Sequence, residues 1–87
     1  MSEKSDHLFE LLASLEDPQV IRAFFQDLCT VKEVENMAER LAAATLLMEG
    51  KTYSQVMESC RISSATLSRV SRCVQYGEGY RKVIGKQ

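Results

Sequence analysis

Between residues 50 and 72 the chain reads Gly50-Lys51-Thr52-Tyr53-Ser54-Gln55-Val56-Met57-Glu58-Ser59-Cys60-Arg61-Ile62-Ser63-Ser64-Ala65-Thr66-Leu67-Ser68-Arg69-Val70-Ser71-Arg72. Thr52 is a good N-cap for a helix of about two turns, and Ser63 for a second, longer one. Ile62 places an apolar residue in the connection between them. Two helices joined through a turn of about 3–4 residues must bury a fixed set of positions. That set is expected to be Val56, Met57 and Cys60 from the first helix, Ile62 from the turn, and Leu67 and Val70 from the second. All six are apolar. The spacing therefore predicts a helix-turn-helix over residues 52–76, with Ser63 to Tyr76 as its recognition helix.

The positions left facing outward on the second helix are Ser64, Ala65, Ser68, Arg69 and Arg72. They are small, hydroxylated or basic, as an element entering the DNA major groove requires. Small residues at the start of the helix let its backbone approach base edges. Ser63, Ser64, Thr66 and Ser68 offer hydroxyls to phosphate or base, and a helix N-terminus favours a nearby phosphate. Arg69 and Arg72 are three apart and share a side of the helix, within reach of guanine or phosphate. Lys51, Thr52 and Tyr53 fall where the preceding helix would cross the DNA backbone.

Upstream, the apolar residues repeat at the helical period. Ser5 or Asp6 can cap a first helix carrying Leu8, Leu11, Leu12 and Leu15. Asp17-Pro18 suits a helix start, because the proline's missing N–H costs nothing at the first helical position. Val20, Ile21, Phe24, Phe25 and Leu28 give that second helix a broad apolar face. Thr30 and Glu33 have capping-box spacing. They predict a third helix from about Val31 to Gly50, with Val34, Met37, Ala38, Leu41, Thr45 and Met48 on one side and Ala44 and Leu47 widening the stripe. Gly50 is a natural left-handed terminator, and Ala42-Ala43-Ala44 favours close packing of another helix. Residues 1–49 are thus expected to form the N-terminal, dimerising helices of a single domain spanning residues 1–87. Gly77, Gly79 and Gly85 predict a loosely ordered basic tail over residues 77–87, ending in a short helical turn around Tyr80 to Ile84.

Eighty-seven residues suffice for one domain, and a chain this short buries only about 60% of its unfolded surface. Dimerisation is a common remedy, and 45% hydrophobic residues leave apolar surface for it. The net charge of −1 conceals an asymmetry. Residues 1–59 carry five Lys or Arg against eleven Asp or Glu, a balance of −6. Residues 60–87 carry six basic residues (Arg61, Arg69, Arg72, Arg81, Lys82, Lys86) against Glu78 alone, a balance of +5. An acidic scaffold with one basic face would meet a polyanion in a single orientation.

Cys29, Cys60 and Cys73 lack close spacing, which argues against a disulfide framework or a zinc site. His7 sits near the terminus beside Asp6 and reads as a solvated helix-start residue. No nucleophile–base set and no glycine-rich phosphate loop is present, so neither an enzyme nor a cofactor is expected. No apolar run approaches the ~18 residues of a membrane span, and the first six residues lack a secretory apolar stretch. A cytoplasmic protein is expected.

Gly50 through Arg72 resemble the helix-turn-helix of the Trp repressor family, and Ala65-Thr66-Leu67-Ser68-Arg69 is the most specific part. The chain looks closest to the Trp-repressor-related YerC/YecD branch. The resemblance implies an all-α, intertwined homodimer that binds double-stranded DNA as a transcriptional regulator, most simply a repressor. It also marks a departure. The family's corepressor tryptophan is held by two arginines and a close glycine, at positions matched here to Glu49, Arg69 and Val70. Only the arginine at Arg69 is kept. Glu49 would repel the ligand's carboxylate and Val70 adds bulk where the indole needs room, so no tryptophan response is expected. Glu49, Arg69 and Val70 remain a possible pocket for another effector. Arg61 occupies a turn position where glycine is common, so the turn is expected to take a different conformation. A dimeric helical adaptor for a protein partner, built on the acidic N-terminal half and the Leu8–Phe25 apolar stripe, is the alternative reading.

Overall fold

The computed structural model describes residues 1–85 and holds six helices: α1 (Glu3–Ala13), α2 (Pro18–Leu28), α3 (Val31–Met48), α4 (Tyr53–Ser59), α5 (Ser64–Tyr76) and α6 (Gly79–Ile84). There is no strand among the described residues. Lys86, counted above in the basic tail, lies outside them. None of these helices is long and apolar enough to cross a membrane. The chain divides into two compact units, Met1–Val34 and Glu35–Gln87.

In the first unit the helix starts are set by side-chain caps. α1 begins earlier than Ser5 or Asp6, because the Ser2 hydroxyl accepts the Ser5 N–H at 3.1 Å and Glu3 and Asp6 complement the positive end of the helix. α1 ends at Ala13, so Leu15 falls beyond it. Asp17 caps α2 by accepting the Gln19 N–H at 2.9 Å, with Pro18 at the first helical position. At the start of α3, Thr30 and Glu33 exchange bonds: Glu33 N–H donates to the Thr30 hydroxyl at 3.1 Å, and Thr30 N–H to the Glu33 carboxylate at 2.8 Å. The Thr30 backbone N–H first, and the Thr30 hydroxyl second, favour the ionised carboxylate and hold the Glu33 pKa below its ordinary value. The apolar stripes of α1 and α2 are not buried within the chain. Leu8, Leu12, Ile21, Phe24 and Phe25 are half-buried, while Phe9 is 51% and Val31 78% exposed.

The second unit has a core of Ala43, Ala44, Val56, Cys60, Leu67 and Val70, with Leu46, Leu47, Ile62, Val74, Tyr80 and Ile84 packed on it. α3 turns the face of Ala43, Ala44 and Leu47 to this core, and leaves Ala38 and Leu41 of the expected stripe exposed. The helix is therefore apolar on two sides, one satisfied by its own chain and one not. α3 ends in a Schellman motif: Lys51 N–H donates to Leu46 C=O at 3.1 Å and Gly50 N–H to Leu47 C=O at 3.0 Å. Gly50 takes φ +90°, the one left-handed residue among those described.

Met57 departs from the expected core and is 42% exposed. α4 buries Val56, and Cys60 at its C-cap is buried one turn further on, while Met57 stays exposed beside them. Residues 79–84, where a loose tail ending in a helical turn was expected, form α6, with Tyr80 and Ile84 packed on the core. Arg81 fastens it: Nε donates to Val74 C=O at 3.2 Å and Nη2 to Gln75 C=O, satisfying carbonyls at the end of α5. Gly77 is needed at the junction, since a Cβ there would stand 2.7 Å from the Cys73 carbonyl oxygen.

Candidate nucleic-acid interface

The site is built on α4, the connection after it, and α5. Thr52 caps α4 through a full capping box, accepting Gln55 N–H at 3.2 Å while its own N–H donates to the Gln55 side chain at 2.8 Å. Ser63 caps α5, accepting Thr66 N–H at 3.1 Å and donating to the Thr66 hydroxyl at 3.0 Å. The Ser63 hydroxyl is thus engaged on both sides by its own helix. The half-buried Thr66 keeps its proton free to donate outward.

Along α5, Leu67, Val70 and Ser71 are buried and Val74 is half-buried. Ser64, Ala65, Ser68, Arg69 and Arg72 are exposed on the opposite side. The helical period forces this split: with Leu67, Val70 and Val74 inward, positions 65, 68, 69 and 72 must point away. Lys51, Thr52 and Tyr53 are exposed at the entrance to α4.

On α5 and the turn before it, three guanidinium groups carry the positive charge. Lys82 pairs with Glu78 at 3.4 Å, and Arg81 is turned onto the α5 carbonyls. Among the described residues, Arg61, Arg69 and Arg72 have no carboxylate within ion-pair distance. They are exposed and have charge to offer a polyanion. No group of acidic, histidine and cysteine side chains among the described residues could hold a metal ion.

Of the three residues matched to the family's effector site, Glu49 and Arg69 are exposed, whereas Val70 is 2% exposed and part of the core. The turn does take a form without a left-handed residue. Cys60 is extended at φ −121°, ψ 143°, and no non-glycine residue among those described has a positive φ, so Arg61 sits in the turn without left-handed strain. Cys60 itself is buried, and burial first, then the Glu39 carboxylate, pushes its thiol pKa up. Two features escaped the sequence reading. Tyr76, 80% exposed, continues the outward line of Arg69 and Arg72, as a 65/69/72/76 spacing would have disclosed. Among the described residues Glu39 forms no ion pair, but its Oε1 accepts the Arg61 N–H at 3.0 Å, a long-range contact with no local sequence signature.

A short helix, an extended turn and a longer helix, joined over one apolar core and presenting a polar, partly basic face, define the class: an all-helical protein of the DNA-binding type. The chain belongs to the Trp repressor family, whose model matches residues 3–87. It falls on the family's YerC-related branch: it is 44% identical over 72 residues to the uncharacterized protein YerC of Bacillus subtilis strain 168, an alignment covering 83% of this chain and 69% of that one. Two solved structures share the fold. One, a candidate Trp repressor from Staphylococcus aureus, superposes with a TM-score of 0.91 at 33% identity, covering 99% of this chain and 87% of that one. The other, a TrpR-like protein from Eubacterium eligens ATCC 27750, gives 0.90 at 35% identity, covering 98% and 89%. The family is one of DNA-binding regulators, not of enzymes.

Proposed function

We propose that the protein is a homodimeric, sequence-specific transcriptional repressor that reads double-stranded DNA with α5. The observation that carries this reading is the outward face of α5, where Arg69 and Arg72 stand exposed without a carboxylate partner. Ala65, Ser64 and Ser68 keep the first turns of that face slim enough for base edges. Arg69 contacts base or phosphate, and Arg72 the backbone. Lys51, Thr52 and Tyr53 hold the adjoining phosphates. Thr66 offers its free hydroxyl proton, while Ser63 acts mainly by shaping the helix start.

Two apolar surfaces support the homodimer: the exposed side of α3 at Ala38 and Leu41, and the Phe9, Val20, Leu28 and Val31 side chains of the first unit. A two-fold dimer would present two recognition helices about 34 Å apart, one DNA turn, and call for a palindromic operator. Tryptophan is not the effector on this reading, because Val70 puts a buried β-branched side chain where the resemblance expects a glycine. Addition of tryptophan should leave operator affinity and thermal stability unchanged; a tryptophan-dependent rise in either would reverse that part of the proposal.

The same exposed apolar side chains favour a second reading, an adaptor for another protein. Sedimentation with and without duplex DNA separates the two. A tight dimer of the pure chain that binds the duplex supports the repressor, whereas a chain without DNA affinity supports the adaptor.

A further inference from the structure

The connection between α4 and α5 does not hold its own shape. α4 ends with Cys60 N–H on Val56 C=O at 2.9 Å, and α5 opens with Leu67 N–H on Ser63 C=O at 2.9 Å. Both Cys60 and Ser63 are extended, and no backbone hydrogen bond from residues 61–63 closes the turn among the described residues. An extended segment has no local bonding to set its direction, so beyond the core packing of the two helices the path of the turn backbone must be set from outside it. Two anchors are present. Ile62 rests half-buried against the core, which gives depth without direction. Glu39, on α3, accepts the Arg61 N–H at 3.0 Å. The other side-chain hydrogen bonds among the described residues join positions at most seven apart; this one spans twenty-two.

We infer that Glu39 is the positioning residue of the recognition helix: its carboxylate, carried on the scaffold helix, fixes the turn backbone at Arg61 and so aims α5. The inference rests on the DNA-binding reading above. A hydrogen bond from a backbone N–H to a side-chain oxygen is directional, which suits a group that must hold an angle. Burial first, and then the Glu39 carboxylate, raises the Cys60 thiol pKa, which agrees with that side chain lying close to the turn. Glu39 touches no DNA on this account. Its effect belongs to discrimination between sequences, because phosphate attraction tolerates small changes of helix angle and base readout does not.

The test compares Glu39→Gln, Glu39→Asp and Glu39→Ala with the unaltered chain. Glutamine keeps an acceptor at the same reach without the charge, aspartate keeps the charge without the reach, and alanine keeps neither. The first readout is exchange of the Arg61 amide proton by NMR, which needs no DNA. Protection should survive in the Gln variant and fall about tenfold or more in the Asp and Ala variants. The second is the ratio of affinities for a duplex selected from a random library by the unaltered protein and for a random-sequence duplex. That ratio should fall about tenfold or more for Asp and Ala and stay within about threefold for Gln, with random-duplex affinity little changed. Equal Arg61 exchange in all four proteins overturns the clamp. Protection that follows Glu39 with unchanged discrimination overturns its role in aiming α5. Loss in Gln but not in Asp assigns the effect to charge and overturns it too. Failure of the unaltered protein to bind any duplex, with the exchange pattern intact, defeats the DNA reading and the aiming role with it, but leaves the clamp.

Discussion

Replacing Gly50 by alanine separates backbone strain from steric clash. Gly50 closes α3 at φ +90°, and a Cβ built there meets nothing within 4 Å. The whole cost is therefore conformational. Holding an L-residue in the left-handed region costs about 1–2 kcal/mol. Alanine also restricts the unfolded chain, which returns about 0.4–1 kcal/mol when the native conformation is compatible and offsets part of the strain here. The expected net loss is about 1 kcal/mol, or about 4–8 °C in Tm for a domain of this size. Asparagine, which tolerates the left-handed region, should lose clearly less. Urea unfolding followed by circular dichroism measures it, at equal protomer concentration because a dimer's stability depends on concentration. Unchanged stability in Gly50→Ala, or Asn no better than Ala, would refute the left-handed terminator. Gly77→Ala should also destabilise, through the 2.7 Å approach to the Cys73 carbonyl and not through φ.

Leu67 is fully buried in the second unit's core, so Leu67→Ala should cost about 2–5 kcal/mol in the same assay; a loss below about 1 kcal/mol would place Leu67 outside the core. Cys60 is buried with its thiol pKa raised above the ordinary value of 9.0, whereas Cys73 is exposed. Iodoacetamide at pH 8 should label Cys73 first and Cys60 only on unfolding, as peptide mass mapping will report; equal rates would contradict the core. Glu33 has a lowered pKa when folded, so its bonded carboxylate stabilises α3 above the ordinary 4.5 and that contribution fades as pH falls through the folded value. Glu33→Gln keeps the capping geometry without the charge, so the difference between it and the unaltered chain should shrink between pH 6 and pH 3; a constant difference would show that ionisation at Glu33 does not matter.

Much of the architecture was legible because its signals are local. Asp17-Pro18, Thr30-x-x-Glu33, Thr52 and Ser63 mark helix starts by side chains that bond backbone a few residues on, and all four do so in the structure. The inward set Val56, Cys60, Leu67 and Val70 follows from helical period alone. The misses are tertiary. Met57 is apolar and follows buried Val56, yet it stays exposed, an outcome that helical period alone does not decide. α3 carries apolar residues on two sides, and periodicity could not tell which side its own chain would cover. The helical turn expected around Tyr80 to Ile84 is there as α6, but its fastening by Arg81, which reaches back to Val74 and Gln75, is a contact that spacing does not advertise. Glu39 read as one more acid on an acidic scaffold, and only its distance to the Arg61 N–H reveals what it holds.

The central claim is that the exposed face of α5 binds DNA, and fluorescence anisotropy with a random-sequence duplex tests it most directly. The unaltered chain and an Arg69→Ala, Arg72→Ala double variant should be titrated at about 50 and 200 mM salt. Each phosphate contact contributes about 0.9 to the slope of log affinity against log salt. Two arginines on each of two protomers therefore correspond to a slope of about 3–4 if all four touch phosphate, and about half that if Arg69 reads a base. The account predicts salt-sensitive binding by the unaltered chain and a slope lower by about 2–4 in the variant. Binding that is absent at low salt, or equally strong and equally salt-sensitive in the variant, would contradict it.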